Sequence, residues 1–212
     1  LSYELGEKAR LLDRRLTVNA SIYYEDWRHV QLEAYPNDWA LNINGNYVSI
    51  YGADIDLLAG LGAGFQLEVA AGYLYQWLDG GPHWVITPIH KMPEVAPENG
   101  TAALSYSKAL SGSYTFTARL ENSYTGPRYS IFFSNPYEFV GTYKQLPGYD
   151  LINVRAGVTF SDTWSATLFV NNVANKHAQL ESMFTENEPQ PDFTRIETNQ
   201  PLTAGVDLTY RY

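Results

Sequence analysis

The sequence has no cysteine, which excludes disulfide staples, thiolate metal sites and cysteine nucleophiles. No run of about 18 apolar residues occurs, so no segment reads as a membrane-spanning helix. Positive charge is scarce: Lys and Arg number 14 against 23 Asp and Glu, a formal charge of -9. That balance argues against a nucleic-acid partner. No catalytic arrangement, cofactor motif or metal-ligand set stands out, so an enzyme is not expected. The chain opens at Leu1 with neither Met nor a secretory signal, which reads as processing or truncation of a longer protein. Aromatic residues, by contrast, are abundant at 15%, with 17 Tyr. Tyr and Trp concentrate where one end of a side chain meets an apolar phase and the other meets water.

Alternating apolar and polar residues predict nine β-strands. The first, Ser2 to Arg10, is the weakest, because Glu7 falls on its apolar face. The second sets Leu16, Val18, Ala20, Ile22 and Tyr24 against Thr17, Asn19, Ser21, Tyr23 and Glu25. In the third, Val48 and Ile50 are out of phase with Ala53, Ile55 and Leu57, which predicts a bulge near Tyr51-Gly52. The fourth runs from Phe65 to Trp77, the fifth carries Leu104 and Tyr106, and the sixth sets Phe116 and Leu120 against Arg119 and Glu121. The seventh carries Val154 and Val158, the eighth Leu168, and the ninth Val206, Leu208 and Tyr210.

Short connections (near Leu12-Arg14, Ala59-Gly64, Ala109-Ser113 and Ser161-Thr163) alternate with long ones (27–46, 78–100, 125–149 and 172–201). All 11 prolines and all 4 histidines fall in the long set. This is the pattern of a transmembrane barrel, which keeps short turns on the periplasmic side and long loops outside. Phe65, Tyr106, Tyr114, Phe116, Phe160, Trp164 and Tyr212 lie near short turns or the C-terminus, and Tyr24, Trp27, Tyr73, Tyr75, Trp77 and Tyr124 near long loops. Two such sets on one group of strands predict two aromatic girdles. The opposite face carries Glu25, Asp54, Asp56, Glu68, Arg119, Glu121, Arg155 and Asp207, which suit a wet or protein-filled lumen. Nine is an odd count, whereas single-chain bacterial barrels have even counts, so strands are expected upstream.

Several stretches resemble one family. Ser2-Tyr3-Glu4-Leu5-Gly6-Glu7-Lys8 with Leu11 to Asn19 is similar to the first hairpin motif of TonB-dependent receptors. So are Ile22 to Trp27 with Val30-Gln31, and Asn44-Gly45-Asn46 with Tyr51 to Leu57. Tyr149-Asp150-Leu151-Ile152-Asn153-Val154-Arg155, Leu168 to Lys176, and Pro201-Leu202 to Tyr212 resemble the family's last strands. The resemblance implies an all-β, antiparallel transmembrane barrel of about 22 strands with a plugged lumen. Residues 1–212 would be its C-terminal portion, the last nine strands, with the plug domain absent from this chain. It implies residence in the bacterial outer membrane and uptake of a ferric siderophore or similar bulky nutrient. The implied partners are membrane lipid and TonB, reached through the plug.

Candidate ligand contacts are the loop aromatics Trp84, Tyr129, Phe132, Phe133, Tyr137 and Phe139, which have no girdle to serve and make rigid platforms. Loop-to-loop packing explains them equally well. His29, His83, His90 and His177 read as polar loop residues before haem or metal contacts, and Glu181, Glu186, Glu188, Asp192 and Glu197 as a solvated loop before a cation site. Asn171-Asn172 and Gly80-Gly81 are turn chemistry. Gly205, Leu208, Tyr210 and Tyr212 resemble the last-strand signal of the barrel-assembly machinery, which works by strand addition. Two other readings stay open here: a small complete eight-stranded barrel, structural or pore-forming, and a soluble carbohydrate-binding β-sandwich. Small residues on the non-apolar face (Gly72, Ala103, Ser105, Gly157, Thr167 and Gly205) favour a wide lumen over a side-chain-filled one.

Overall fold

The computed structural model describes residues 1–34, 41–79, 90–130, 145–160, 163–184 and 194–211. Its frame is one antiparallel sheet of nine strands. In order these are β1 (Ser2–Leu11), β2 (Leu16–Arg28), β5 (Tyr47–Gly62), β6 (Phe65–Asp79), β7 (Glu98–Ala109), β8 (Tyr114–Thr125), β11 (Tyr149–Phe160), β12 (Trp164–Asn171) and β15 (Thr203–Tyr210). Each strand pairs with its neighbour in sequence within the sheet, and β1 and β15 form its open edges. There is no helix among the described residues.

Register assigns the faces. Leu67, Leu104, Leu120, Val154, Val170 and Ala204 are successive cross-strand partners, an apolar row across six strands. Val69, Leu168 and Leu208 share that face. The eight charged residues assigned above to the lumen all lie on the other face. Leu168 is 62% and Leu208 74% exposed. A continuous apolar face of this kind suits hydrocarbon and not water. Among the described residues no second sheet packs on it, which overturns the sandwich. The eight-stranded alternative fails too: β1 pairs with β2 along its whole length, and the ends of the sheet do not meet.

Both girdles form on the outer face. Near the short turns, ring centroids lie 4.6 Å apart for Phe65 and Tyr106, for Tyr114 and Phe160, and for Trp164 and Tyr210. Near the long loops, Tyr3, Tyr24, Tyr51 and Tyr75 stand in one row on four strands. On β6 the two girdles are Phe65 and Tyr75, about the length a tilted strand needs to cross.

Several expectations need correcting. The bulge is not at Tyr51-Gly52, where pairing with β2 and β6 runs uninterrupted; the irregularity lies between Gly60 and Gly62. Val48 and Ile50 are out of phase because they face inward. Val30, Val48 and Leu78 are each 0% exposed and pack with Ile50 and Met92 in a small core beneath the loops. Trp27, taken above as a girdle residue, is partnered by Val48 and also faces inward. The turn placed at 59–64 is tighter, because β5 continues to Gly62 and Ala63-Gly64 alone remain. A Cβ on Gly64 would sit 2.2 Å from the Ser107 carbonyl oxygen, and its φ is +88°, so only glycine fits. Glu7 does fall on the outer face, opposite Ala20, on the sheet's open edge.

The long connections also carry structure of their own. Each of three holds a short hairpin: β3 (Gln31–Ala34) with β4 (Leu41–Asn44), β9 (Arg128–Tyr129) with β10 (Gln145–Leu146), and β13 (Gln179–Phe184) with β14 (Thr194–Thr198). None of these short hairpins shows in the alternation of the sequence.

Candidate functional site: the loop cluster and the inner wall

Three of the long connections are joined. The Glu94 amide donates to the Tyr129 carbonyl at 2.7 Å, tying residues 90–97 to β9. Arg128, only 7% exposed, donates from Nη2 to the Gln179 carbonyl at 3.3 Å and to the Leu180 carbonyl, tying β9 to β13. Its guanidinium carbon lies 5.7 Å from the Tyr149 ring centroid, a cation–π distance. Buried Leu146, Ala178 and Ser182 fill the same cluster.

The base of the last loop is set by asparagines. Asn172 has φ 51° and Asn175 φ 47°, a left-handed conformation that Asn tolerates. The Asn172 amide side chain donates to the Lys176 and Gln200 carbonyls at 2.9 and 3.0 Å and accepts from the Lys176 amide at 2.8 Å. Its backbone amide donates to Asn153 Oδ1 at 3.0 Å. Two of the family-like motifs thus meet in one hydrogen bond.

Glu181 on β13 lies directly across from Glu197 on β14 and has the Glu94 carboxylate of another loop close by. Burial, then the charges of Glu94 and Glu197, raise the Glu181 carboxyl above its ordinary pKa. A raised folded-state pKa means that protonation favours the joined loops. The contribution is full below the ordinary carboxylate range and is lost as pH rises through the raised value. Amide exchange in residues 179–184, corrected for intrinsic rate, is therefore expected to be slower at pH 4, below the ordinary carboxylate range, than at pH 7 in the full-length protein. Glu181→Gln should remove that difference; an unchanged difference in the variant would assign it elsewhere.

On the inner wall, Arg119 of β8 donates to Glu68 of β6 at 2.9 Å, to Glu121 at 3.2 Å and to Ser105 of β7 at 2.9 Å. Gln66 donates to the other Glu68 oxygen at 3.0 Å. The ionic side chains are 34–38% exposed, so each pair contributes about 0–1 kcal/mol. The arrangement is worth more as a charge pattern: two carboxylates share one guanidinium and leave a net negative patch. Small residues flank it, and glycines are roofed by neighbours. A Cβ on Gly52 would meet Tyr23 Cζ at 2.0 Å, and one on Gly205 would meet Phe169 Cζ at 2.5 Å. Rings lying over cross-strand glycines pin the register.

Of the proposed ligand contacts, Tyr129 is placed in the loop cluster, half-buried. Trp84, Phe132, Phe133, Tyr137 and Phe139 lie outside the described residues, as do Tyr212, His83, Glu186, Glu188 and Asp192. Leu208 and Tyr210 face outward and Gly205 inward on β15. His29, His90 and His177 do not converge, and among the described residues no three His, Asp or Glu form a metal-binding group. Sequence reading missed Arg128 and the Arg119 triad, whose partners become neighbours only through cross-strand register.

The family model "TonB dependent receptor-like, beta-barrel" matches residues 1–173. The ferric yersiniabactin uptake receptor FyuA from Yersinia pestis superposes with TM-score 0.75 at 13% identity, over 99% of this chain and 29% of its own. The siderophore receptor PiuA from Acinetobacter baumannii gives 0.69 at 18%, over 100% of this chain and 28% of its own. The copper transporter OprC gives 0.73 at 12%, over 100% and 31%. At these identities the likeness shows the fold alone, and the chain spans less than a third of each relative. No curated protein matches significantly. The family comprises transporters rather than enzymes, and the chain belongs to it, the TonB-dependent receptor β-barrels of the bacterial outer membrane.

Proposed function

We propose that the parent protein imports a ferric siderophore or similar bulky chelate. In this reading residues 1–212 are the C-terminal nine strands of its barrel, and a plug domain encoded upstream fills the lumen. The observation that carries the reading is the joined loop cluster above a wide, charged inner wall. Arg128, Glu94 and Tyr129 tie three loops into one outward-facing cap, and small inner residues leave room beneath it for a separate domain. The negative patch around Glu68, Arg119 and Glu121 is then available to a cationic side chain of the plug. TonB acts on that plug from the periplasm, and release into the periplasm follows its movement. Trp84, Tyr129, Phe132, Phe133, Tyr137 and Phe139 serve as ligand contacts, closing over the chelate and excluding water. That FyuA and PiuA are described as a ferric yersiniabactin uptake receptor and a siderophore receptor supports the ligand class.

Removing residues 129–139 from the full-length protein should weaken binding of a ferric chelate while leaving the barrel assembled, read as heat-modifiable migration. Unchanged binding across ferric chelates, cobalamin and oligosaccharides alike would overturn the loop assignment. Uptake that persists in a strain lacking TonB would overturn the transporter class.

A further inference from the structure

Beyond the row of Tyr24, Tyr51 and Tyr75 the outer wall changes character. The next outward rows carry Asp26, Ser49 and Trp77, then Arg28, Tyr47 and Asp79. Residues 90–97 run beside the free end of β6: the Leu78 amide donates to the His90 carbonyl at 2.9 Å, and the Leu74 amide to the Pro97 carbonyl at 2.8 Å. The His90 ring stacks on Trp77, 4.0 Å between centroids and 11° between planes. Lys91 Nζ lies 4.5 Å from the Tyr75 centroid and donates to the Gln76 carbonyl at 3.3 Å. Tyr75 and Trp77 face outward, so His90 and Lys91 are held on the outside of the barrel. On the same side lies a groove of about 470 Å³ lined by Tyr24, Asp26, Arg28, His29, Asn46, Tyr47 and Ser49, in which the Asp26 carboxylate is taken up by Arg28. Five of those seven residues (Tyr24, Asp26, Arg28, Tyr47 and Ser49) are outward by register, so the groove opens toward the membrane's outer leaflet and plays no part in a path through the lumen.

We propose that this outer-wall site binds the phosphorylated sugar head group of an outer-leaflet glycolipid. Its height is right, because it begins where the tyrosine row ends and hydrocarbon gives way to head groups. Its chemistry is also right. The Arg28 side chain is 75% exposed and engages Asp26 through Nε at 2.9 Å, which leaves its terminal nitrogens without a partner among the described residues. Lys91 uses one of its three donors. Cations at this level attract lipid phosphate. The Tyr47 and Trp77 rings offer platforms for sugar faces, and Ser49 and Asp79 offer partners for hydroxyls. Arg28 and Lys91 are three strand spacings apart, about 14 Å, which one or two sugar rings bearing a phosphate at each end would bridge. The inference rests on the outer-membrane placement and is independent of the transported ligand.

The test uses the full-length protein purified from outer membranes in mild detergent, with bound glycolipid counted by native mass spectrometry. It also uses bilayer discs in which labelled glycolipid competes with its dephosphorylated form or with phosphatidylglycerol. Native protein should retain glycolipid, and the dephosphorylated form and phosphatidylglycerol should compete poorly. Arg28→Glu with Lys91→Glu should cut retention by at least about fivefold. Lys108→Glu, a control on the outer face at the periplasmic end, should leave it unchanged. Equal competition by the dephosphorylated lipid would overturn the phosphate contact, and equal competition by phosphatidylglycerol would overturn the sugar contact. Retention unchanged in an assembled double variant would overturn the site. If the double variant does not assemble, the competition series on native protein decides alone.

Discussion

Leu168→Arg should lower the folding free energy of the full-length barrel by about 2–4 kcal/mol, the cost of a cation facing lipid near mid-membrane. Leu168 is 62% exposed and its cross-strand partners are Ala156 and Val206, so no polar side chain is at hand to receive the guanidinium. It lies four positions above Trp164 of the lower girdle, about 10 Å into the apolar band of a tilted strand, too deep for easy snorkelling to that interface. The neighbouring Thr167→Arg places the same charge on the inner face, beside Gly157 and Asp207, and should cost far less. Reversible unfolding of both variants in lipid vesicles measures the difference. A change near zero at Leu168, or equal costs at both positions, would contradict the face assignment.

Deleting Tyr210-Arg211-Tyr212 should lower the amount of the full-length protein in the outer membrane severalfold. The reason proposed is that the last strand is read by the assembly machinery through edge pairing. A packing explanation competes, because Tyr210 and Trp164 have ring centroids 4.6 Å apart. Trp164→Ala removes the same ring contact without touching the last strand, and should preserve most of the surface protein. If it reproduces the whole loss, Tyr210 serves packing and not recognition. Gly205 already has an internal reason to be glycine, since the Phe169 ring covers it. Among the described signal residues, Leu208 and Tyr210 are therefore the ones whose outward side chains are open to a partner during assembly.

The strands were legible because a barrel wall imposes one strict period on every crossing. Tyr114 to Leu120 alternates without exception and Phe65 to Trp77 departs only at Ala70 and Leu74, and the structure pairs both as the alternation requires. Legibility fails where the wall rises out of the membrane. Val48, Ile50, Leu78 and Trp27 are apolar or aromatic yet inward, because above the girdle the inner face packs against loop residues such as Val30 and Met92. An apolar residue there no longer marks the lipid side, and the apparent slip at Tyr51-Gly52 was that change of environment.

The site was less legible for a different reason. Arg119 meets Glu68 across β7, 51 positions away in sequence, and Arg128 reaches Leu180 across 52. Spacing along the chain carries no trace of either pair; only register across the sheet and the closing of loops create them. Asn172 was correctly read as turn chemistry, but its bond to Asn153 depends on which strand lies beside it. The sequence marks His90 only as a polar loop residue, and its stacking on Trp77 depends on residues 90–97 lying along β6.

This chain is a membrane wall with one face in lipid and the other toward the barrel's lumen. Because the chain has no cysteine of its own, spin labels can be attached at single cysteines introduced along Tyr114–Thr125 in a full-length protein cleared of any others. The most direct measurement is their collision rate in native outer membranes with oxygen, which partitions into lipid, and with a water-soluble nickel complex. Labels at Phe116, Ala118 and Leu120 should respond strongly to oxygen, and labels at Thr115, Thr117 and Arg119 weakly, a period of two along the strand. Oxygen accessibility without alternation, or high nickel accessibility at Ala118 and Leu120, would contradict the account.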